Sequence, residues 1–245
     1  MSQWKLAEGL DAETAARFAD LDQVFALEGD WITGDPLSEV LRVEHAGVRY
    51  YVKRYWGAGK GLRRWLGRPR VKAEWQNLKY FAKWGIPTAA LVGWGQERER
   101  GAFKRGALIT RELEGTMDLA AIAQQNDPRL ADAHWVDGVS RQLAKATRAL
   151  HDHHFAHNDL KWRNLLVNPA GELFFIDCPT GAFWWGPFLR YRIVKDLACL
   201  DKVASKVLSR SQRLRFYLQY RGRTRLNASD KRRVVQIVKF FEGRE

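Results

Sequence analysis

His157-Asn158-Asp159-Leu160-Lys161-Trp162-Arg163-Asn164 runs into Leu165-Leu166-Val167, then Asn168-Pro169-Ala170-Gly171, then Leu173-Phe174-Phe175-Ile176 ending on Asp177. Two short apolar runs joined by an Asn-Pro-Ala-Gly turn predict a β-hairpin. The ends of a hairpin lie side by side. One mouth therefore gathers Asp159, Lys161, Asn164 and Asp177, three oxygen-bearing residues and a lysine. Such a set suits a metal-bound polyphosphate.

Working outward, 245 residues suffice for one domain or two lobes around a substantial core. The apolar fraction of 46% is that of a globular chain. Cys178 and Cys199 form neither a disulfide framework nor a Cys-x-x-Cys metal pair. The N-terminal residues lack a signal-peptide pattern, and no apolar run approaches the roughly 20 residues that span a bilayer. The expectation is a soluble, cytoplasmic protein.

The formal net charge is +13 and unevenly placed. From Arg190 to Glu245 there are 16 Lys/Arg against 5 Asp/Glu, and between Lys53 and Lys72 there are eight basic residues and no acidic one. Such patches attract nucleic acid, anionic lipid or phosphorylated substrates, or are solvated surface. No recognisable nucleic-acid motif accompanies the charge, and no nucleic-acid partner is expected.

Upstream of the hairpin, residues 11 to 22 predict a short amphipathic helix with Phe18 and Leu21 on one side. Ser38 to His45, a turn at Ala46-Gly47 and Val48 to Tyr55 predict a second hairpin. Lys53 lies in its second strand and, taken alone, reads as an outward-facing strand lysine. Val71 to Trp84 predicts a helix whose Val71, Trp75, Leu78 and Ala82 share a face, stopped at Gly85-Ile86-Pro87. Glu74 falls in its first turn, where favouring the helix dipole is worth under about 1 kcal/mol. Two strands, Ala89 to Gly95 and Gly106 to Glu112, flank a charged turn from Gln96 to Lys104.

Downstream, Met117 to Gln125 predicts a short helix capped by Thr116. His134 to His153 is the longest expected helix, with Trp135, Val139, Leu143, Ala146 and Leu150 on its buried stripe. After the opening hairpin come a Trp/Phe-rich loop from Gly181 to Leu189 and helices near Tyr191 to Leu208, Ser211 to Tyr220 and Ala228 to Phe241. A β-rich part, about residues 1–112, precedes a helical part, about 113–245. This layout predicts a single α+β domain of two lobes.

The stretch His157 to Asn164 resembles the protein-kinase catalytic loop H-R-D-L-x-x-x-N in all but its second residue, and Asp177 resembles the Asp of D-F-G. Val52-Lys53 is similar to the end of V-A-I-K, and Glu74 suits the partner of that lysine. The resemblance implies a protein-kinase-like fold using ATP and Mg²⁺. In it Lys53, held by Glu74, contacts the phosphates, and Asn164 and Asp177 bind Mg²⁺. Asp159 serves as base or orienter for the attacking hydroxyl, and Lys161 neutralises charge on the γ-phosphate. Asp196 matches an aspartate that braces the catalytic loop. Gly34 and Glu112 complete the expected nucleotide-binding residues.

The departures matter as well. Asn158 replaces the loop arginine that pairs with a phosphorylated activation loop, Cys178-Pro179 replaces Phe-Gly, and no A-P-E triplet is visible. Only 19 positions separate Asp177 from Asp196, far fewer than protein kinases use to dock peptide. The glycine-rich loop is degenerate: Trp31 to Ser38 offers Gly34 but no G-x-G-x-x-G. Gly57-Ala58-Gly59-Lys60-Gly61 is not a Walker A loop, because no Ser/Thr follows the lysine.

A compact kinase core, a truncated activation segment and basic lobes resemble the bacterial lipopolysaccharide core kinases. Membership would imply phosphorylation of a heptose or Kdo sugar of the inner core, at the cytoplasmic face of the inner membrane. The partners implied are the lipopolysaccharide core or lipid A glycolipid and the anionic inner membrane. Tyr55-Trp56, Arg63-Arg64-Trp65-Leu66 and Phe183 to Arg192 mix aromatic and basic residues as interfacial segments do. Trp75, Trp135 and Trp162 read as core, whereas Trp184-Trp185 fit either role. His151, His153, His154 and His157 lack the carboxylate or Cys partners of a zinc site, and His157 reads as a prop for the loop. A protein kinase, including one acting on tyrosine, and a non-catalytic pseudokinase or nucleic-acid-binding module are the alternatives.

Overall fold

Period-two patterning shapes the N-terminal part of the chain. In a computed structural model describing residues 2–57, 65 and 67–243, six strands form one antiparallel sheet. They are β1 (Ser2–Leu6), β2 (Asp30–Asp35), β3 (Ser38–His45), β4 (Val48–Tyr55), β5 (Leu91–Glu99) and β6 (Ala102–Arg111), ordered β1-β5-β6-β4-β3-β2. The β3–β4 hairpin keeps the expected register, from His45 opposite Val48 to Ser38 opposite Tyr55. Ala46 and Gly47 both take positive φ, the conformation that matches the strand twist in a two-residue loop.

Two short helices, α1 (Ala12–Arg17) and α2 (Leu21–Ala26), bury Phe18, Leu21 and Val24 against Val43, Val52 and Ile109 of the sheet. A single helix over residues 11 to 22 is thus corrected to two. The Asp20 side chain accepts from the Gln23 backbone N–H and starts a new helix, whose cap outcompetes continuation. The charged segment from Gln96 to Lys104 is likewise mostly strand. Only Arg100 and Gly101 turn, with positive φ, while Glu97 pairs across the strands with Lys104 (3.1 Å) and Arg105 (2.6 Å). Its polarity marks a solvated face rather than a loop. Strands β1 and β2 had no sequence-based expectation. The edge strand β1 fits against β5 because Gly95 has no side chain: a Cβ there would run into the Gln3 carbonyl oxygen.

Helix α3 (Arg70–Lys83) ends where Gly85 adopts φ +67, with the Ile86 N–H donating to the Phe81 carbonyl at 2.9 Å. Phe81, not Ala82, completes the buried stripe of Val71, Trp75 and Leu78; Ala82 is exposed. Glu74 lies in the second turn rather than the first. Its role is accordingly not that of a dipole-favouring residue.

The chain divides into two units. One is the chain up to Lys79 with Ala89–Leu113, and the other is Tyr80–Thr88 with the chain from Glu114 onward. In the second unit β7 (Met117–Asp118) leads into α4 (Leu119–Gln124), capped by Asp118 instead of Thr116. Helix α5 (Ala133–Asp152) carries Val139, Leu143, Ala146 and Leu150 buried as its stripe requires. β8 (Phe155–Ala156) precedes a 3-10 turn at Trp162–Asn164, and β9 (Leu165–Val167) and β10 (Leu173–Phe175) form the hairpin. Asn168 closes its turn by accepting from the Glu172 N–H at 2.9 Å.

β11 (Ala182–Phe183) pairs with β8, and α6 (Gly186–Val207) follows. Helix α6 exceeds α5, 22 residues against 20, because Pro187 initiates it five residues before the expected start. The aromatic loop therefore ends at Trp185. Helices α7 (Arg210–Arg221) and α8 (Ala228–Val238) both start in capping boxes, Ser209/Gln212 and Asn227/Asp230. Tyr217, Tyr220 and Ile237 pack on Ala144, Leu197 and Ala198. Among the described residues, no helix is long and apolar enough to cross a membrane.

Phe81 is fully buried, meeting Phe155 and Phe175 edge-on and stacking on His157. Phe81→Ala should cost about 3–5 kcal/mol, the usual range for a buried Phe→Ala cavity. Chemical denaturation with an unchanged m-value would check it; a loss below about 1 kcal/mol would remove Phe81 from the core's centre.

Candidate active site

The loop between β8 and the 3-10 turn is held by one buried carboxylate. Asp196, fully buried in α6, accepts from the backbone N–H groups of His157 (2.8 Å) and Asn158 (2.9 Å). Asn158 sits at φ +65, a left-handed conformation that asparagine tolerates better than most residues. Its side-chain amide donates to the Thr180 carbonyl at 2.8 Å, tying the loop to the segment after Asp177. His157 is wholly enclosed, and burial holds its imidazole below the usual histidine range despite the nearby charges of Asp196, Asp177 and Asp159. It is a neutral packing element of the loop.

Asp159 projects from this frame, half-buried. Lys161 Nζ lies 2.6 Å from one carboxylate oxygen, Arg163 lies 3.5 Å from the other, and the Asn164 amide donates to the Asp159 carbonyl at 2.8 Å and the carboxylate at 3.3 Å. Burial alone would raise the Asp159 pKa. The hydrogen bond and charge of Lys161, with Arg163 and Asn164, outweigh it, and the net shift is downward.

Asn164 and Asp177 are drawn together by the hairpin: the Ile176 N–H donates to the Asn164 carbonyl at 3.0 Å. Asp177 takes φ +55 at the hairpin's end. Since its amide nitrogen is committed to Asp159, Asn164 has its side-chain oxygen left as the acceptor. A carboxylate and an amide oxygen fit Mg²⁺, which takes one or two protein oxygens and completes its shell with phosphate and water. Among the described residues, no group of three or more His, Cys, Asp or Glu gathers as an all-protein metal cage would.

The first unit holds the other expected residues. Lys53 pairs with buried Glu74 at 3.0 Å, and the second Glu74 oxygen accepts from Tyr55 Oη at 2.5 Å. Arg49, Tyr51 and Lys53 alternate onto one face of β4, with Tyr50 and Val52 buried on the other. Glu112 joins that face: its carboxylate lies 2.5 Å from Arg49 and accepts from Tyr51 Oη at 3.3 Å. Gly34 sits opposite Glu39 in the β2–β3 hairpin, and Glu39 in turn sits opposite Arg54. Lys53 and Glu74 thus meet, whereas the contacts of Glu112 are to Arg49 and Tyr51 and Gly34 pairs across the β2–β3 hairpin.

The basic run after Lys53 is less available than its composition suggests. Arg54 is buried, bonded to Glu39 at 3.1 Å and to the Val24 and Leu27 carbonyls, and Arg70 pairs with Asp35 at 3.1 Å. Of the Gly57-Ala58-Gly59-Lys60-Gly61 and Arg63-Arg64-Trp65-Leu66 segments and the residue between them, residues 58–64 and 66 lie outside the described residues.

Several supporting groups escaped sequence reasoning. His151 bonds Tyr220 Oη at 2.8 Å and approaches Asp196 at 3.4 Å, so α7 reaches the brace through α5. A histidine beside Leu150 on a buried stripe signals a need for a partner, but its identity as Tyr220 comes only from tertiary structure. The other histidines go elsewhere: His153 stacks on Trp84 with ring centroids 4.4 Å apart, and His154 is exposed. Arg163, four residues after Asp159, was readable as an i,i+4 partner.

The model of the family described as "Lipopolysaccharide kinase (Kdo/WaaP) family" matches residues 24–220. The chain is 30% identical over 127 residues to a 3-deoxy-D-manno-octulosonic acid kinase of Actinobacillus succinogenes, covering 49% of this chain and 50% of that protein. It is 27% identical over 120 residues to the enzyme of that description from Xylella fastidiosa, covering 48% and 45%. The chain spans about half the length of the curated relatives it matches. A solved structure of WaaP in complex with acyl carrier protein shares the fold, with a TM-score of 0.77 at 22% identity over 99% of this chain and 97% of that one.

The Asp159 environment makes a titration prediction. With a depressed native pKa, its ionised form and the stability it contributes hold at pH above the unfolded value and are lost as pH falls through the native one. Lys161→Ala removes the strongest opposing group, so the carboxyl should titrate at higher pH than in the unaltered protein. Carboxyl-carbon NMR would follow it; an unmoved or lowered titration would contradict the pairing.

Proposed function

The chain belongs to the lipopolysaccharide kinase (Kdo/WaaP) family, and from that premise we propose that it transfers the γ-phosphoryl group of ATP to a sugar hydroxyl of the lipopolysaccharide inner core. Kdo is the first acceptor to test, because the curated relatives carry that specificity in their names; heptose is the other. The proposed setting is the cytoplasmic face of the inner membrane, where a glycolipid acceptor presents its core sugars.

The carrying observation is the Asp159 carboxylate, ionised and steered by Lys161 and Asn164 on a loop fixed to Asp196. Phosphoryl transfer demands positioning and charge stabilisation more than covalent participation. Asp159 accepts the hydrogen bond of the sugar hydroxyl and takes its proton as the new O–P bond forms and the bond to ADP breaks. Lys53, held by Glu74, binds phosphate oxygens. Lys161 exchanges its contact with Asp159 for the transferring phosphoryl group. Asn164 and Asp177 would hold Mg²⁺, whose charge, when bound, offsets that of the phosphate oxygens.

The short segment between Asp177 and Asp196 supports a sugar over a peptide. It consists of a bend, the two residues of β11 and the first half of α6, with Asn158 fastened to the Thr180 carbonyl where many protein kinases keep an arginine for a phosphorylated loop. Asp159→Asn should lower turnover by roughly 10²–10⁴-fold, the usual range for lost acid–base help, with the KM for ATP little changed. The assay is Mg²⁺- and ATP-dependent phosphorylation of dephosphorylated core oligosaccharide, followed by ³¹P NMR. Labelled peptide with no new sugar phosphate would replace this reading by protein kinase activity.

A second reading is favoured by a cavity of about 440 Å³ within the second unit, lined by apolar residues of α5, α6, α7 and α8, with Arg210 and Arg213 among its lining. WaaP is a protein solved with acyl carrier protein. The apolar chain of an acylated carrier protein fits the apolar lining of this cavity. Ala204→Phe, which fills the cavity, should abolish co-elution with acylated carrier protein in size-exclusion chromatography; unchanged co-elution would detach the cavity from that partner.

A further inference from the structure

The start of α6 and the outer side of α8 form a surface that the catalytic groups do not use. Trp185 and Phe188 are 66% and 70% exposed, and Tyr191, three residues after Phe188, is 48% exposed. Three large aromatic side chains on about two turns are left in water, where apolar area is costly. Beside them lies a groove of about 730 Å³ between α6 and α8, lined by Arg190, Arg232, Arg233 and Lys239 together with Tyr191 and Phe240. Glu242 is the one carboxylate lining it. Among the described residues, none of these four basic side chains forms an ion pair. Elsewhere in this part of the chain arginines are neutralised: Arg213 by Asp201, and Arg221 and Arg223 by Asp230. Arg192 adds a guanidinium 4.5 Å from the Trp184 ring centre.

We infer that this α6–α8 face docks the protein on an anionic lipid bilayer. The inference deepens the reading of a membrane-borne acceptor and rests on it for its biological setting. Uncompensated arginines supply attraction to acidic headgroups. Trp, Phe and Tyr are the side chains that settle at the headgroup boundary. Val235, 54% exposed on α8, extends the apolar part of the face. A nucleic acid or an acidic protein would be drawn by the arginines as well, and protein interfaces also use aromatic side chains; the bilayer is the occupant that the proposed membrane-borne acceptor brings to this chain. Another exposed apolar pair, Trp31 and Ile32 on β2, lies beside Asp30 and Asp35, whose carboxylates engage Arg42 and Arg70, so those two arginines are already neutralised there.

The test is co-sedimentation of the full chain with vesicles of phosphatidylcholine alone or with about one-third phosphatidylglycerol, alongside phosphorylation of a soluble, deacylated core oligosaccharide. Binding should require the anionic lipid and weaken as salt rises. The double variants Trp185→Ser/Phe188→Ser and Arg190→Glu/Arg232→Glu should each lower vesicle affinity by about tenfold or more. Both should leave thermal unfolding and turnover of the soluble acceptor unchanged. Trp185→Phe, the conservative control, should keep binding and lose part of the vesicle-induced blue shift of tryptophan emission.

Equal binding to neutral vesicles, or variants that bind as the unaltered chain does, would overturn the inference while soluble-acceptor turnover kept the kinase reading. Vesicle binding without phosphorylation of any core sugar would do the reverse. Loss of acyl carrier protein binding in the variants, with vesicle binding intact, would reassign the face to that partner.

Discussion

The loop that carries Asp159 depends on the Asp196 carboxylate. A buried charge is tolerated only where hydrogen bonds replace its water, and here two backbone N–H groups of the loop do so, with His151 nearby. The dependence runs both ways. The loop gains partners for amides that would otherwise be orphaned, and the aspartate gains a reason to be inside. Asp159, one residue beyond Asn158, inherits its position from that exchange. Its left-handed neighbour and the fastening to Thr180 fix the direction in which it points.

A second principle is that the functional charges are matched at close range. Glu74 is divided between Lys53 and Tyr55, and Asp159 between Lys161, Arg163 and Asn164. The proposed chemistry therefore exchanges one set of pairings for another instead of creating charge in an empty pocket. This differs from the basic face on α6 and α8, whose arginines have no such neighbours. Composition sees the two kinds of arginine as equal; the structure separates them.

Much of the architecture could be read from local pattern. The β3–β4 and β9–β10 hairpins carry period-two runs with turn residues between them, and the stop of α3 at Gly85 needs only one residue of positive φ. The family membership and the kinase-like fold agree with the resemblance carried by His157 to Asp177. Failures fell where polarity has two explanations. Charges on a solvated strand face looked like a turn in β5 and β6, and Asp20 broke one apparent helix into two. Ala82 had the right spacing to be buried but yielded to the bulkier Phe81 beside it. The Lys53–Glu74 and Asn164–Asp159 contacts follow the spacing of their motif, whereas Tyr220 reaching His151 from a helix about seventy residues on has no local trace.

The ion pairs within the first unit bear on how the chain is made. The pairs Lys53–Glu74, Tyr55–Glu74, Arg49–Glu112 and Arg54–Glu39 each join residues that precede Leu113. A ribosome delivers residues in order, and units generally fold as they emerge. By the time Leu113 is clear of the exit tunnel, both members of each of these pairs have been translated. The second unit starts differently, since Phe81 is made early and must wait for Phe155 and Phe175. Its aromatic surface is the part of the nascent chain that a holdase would need to cover.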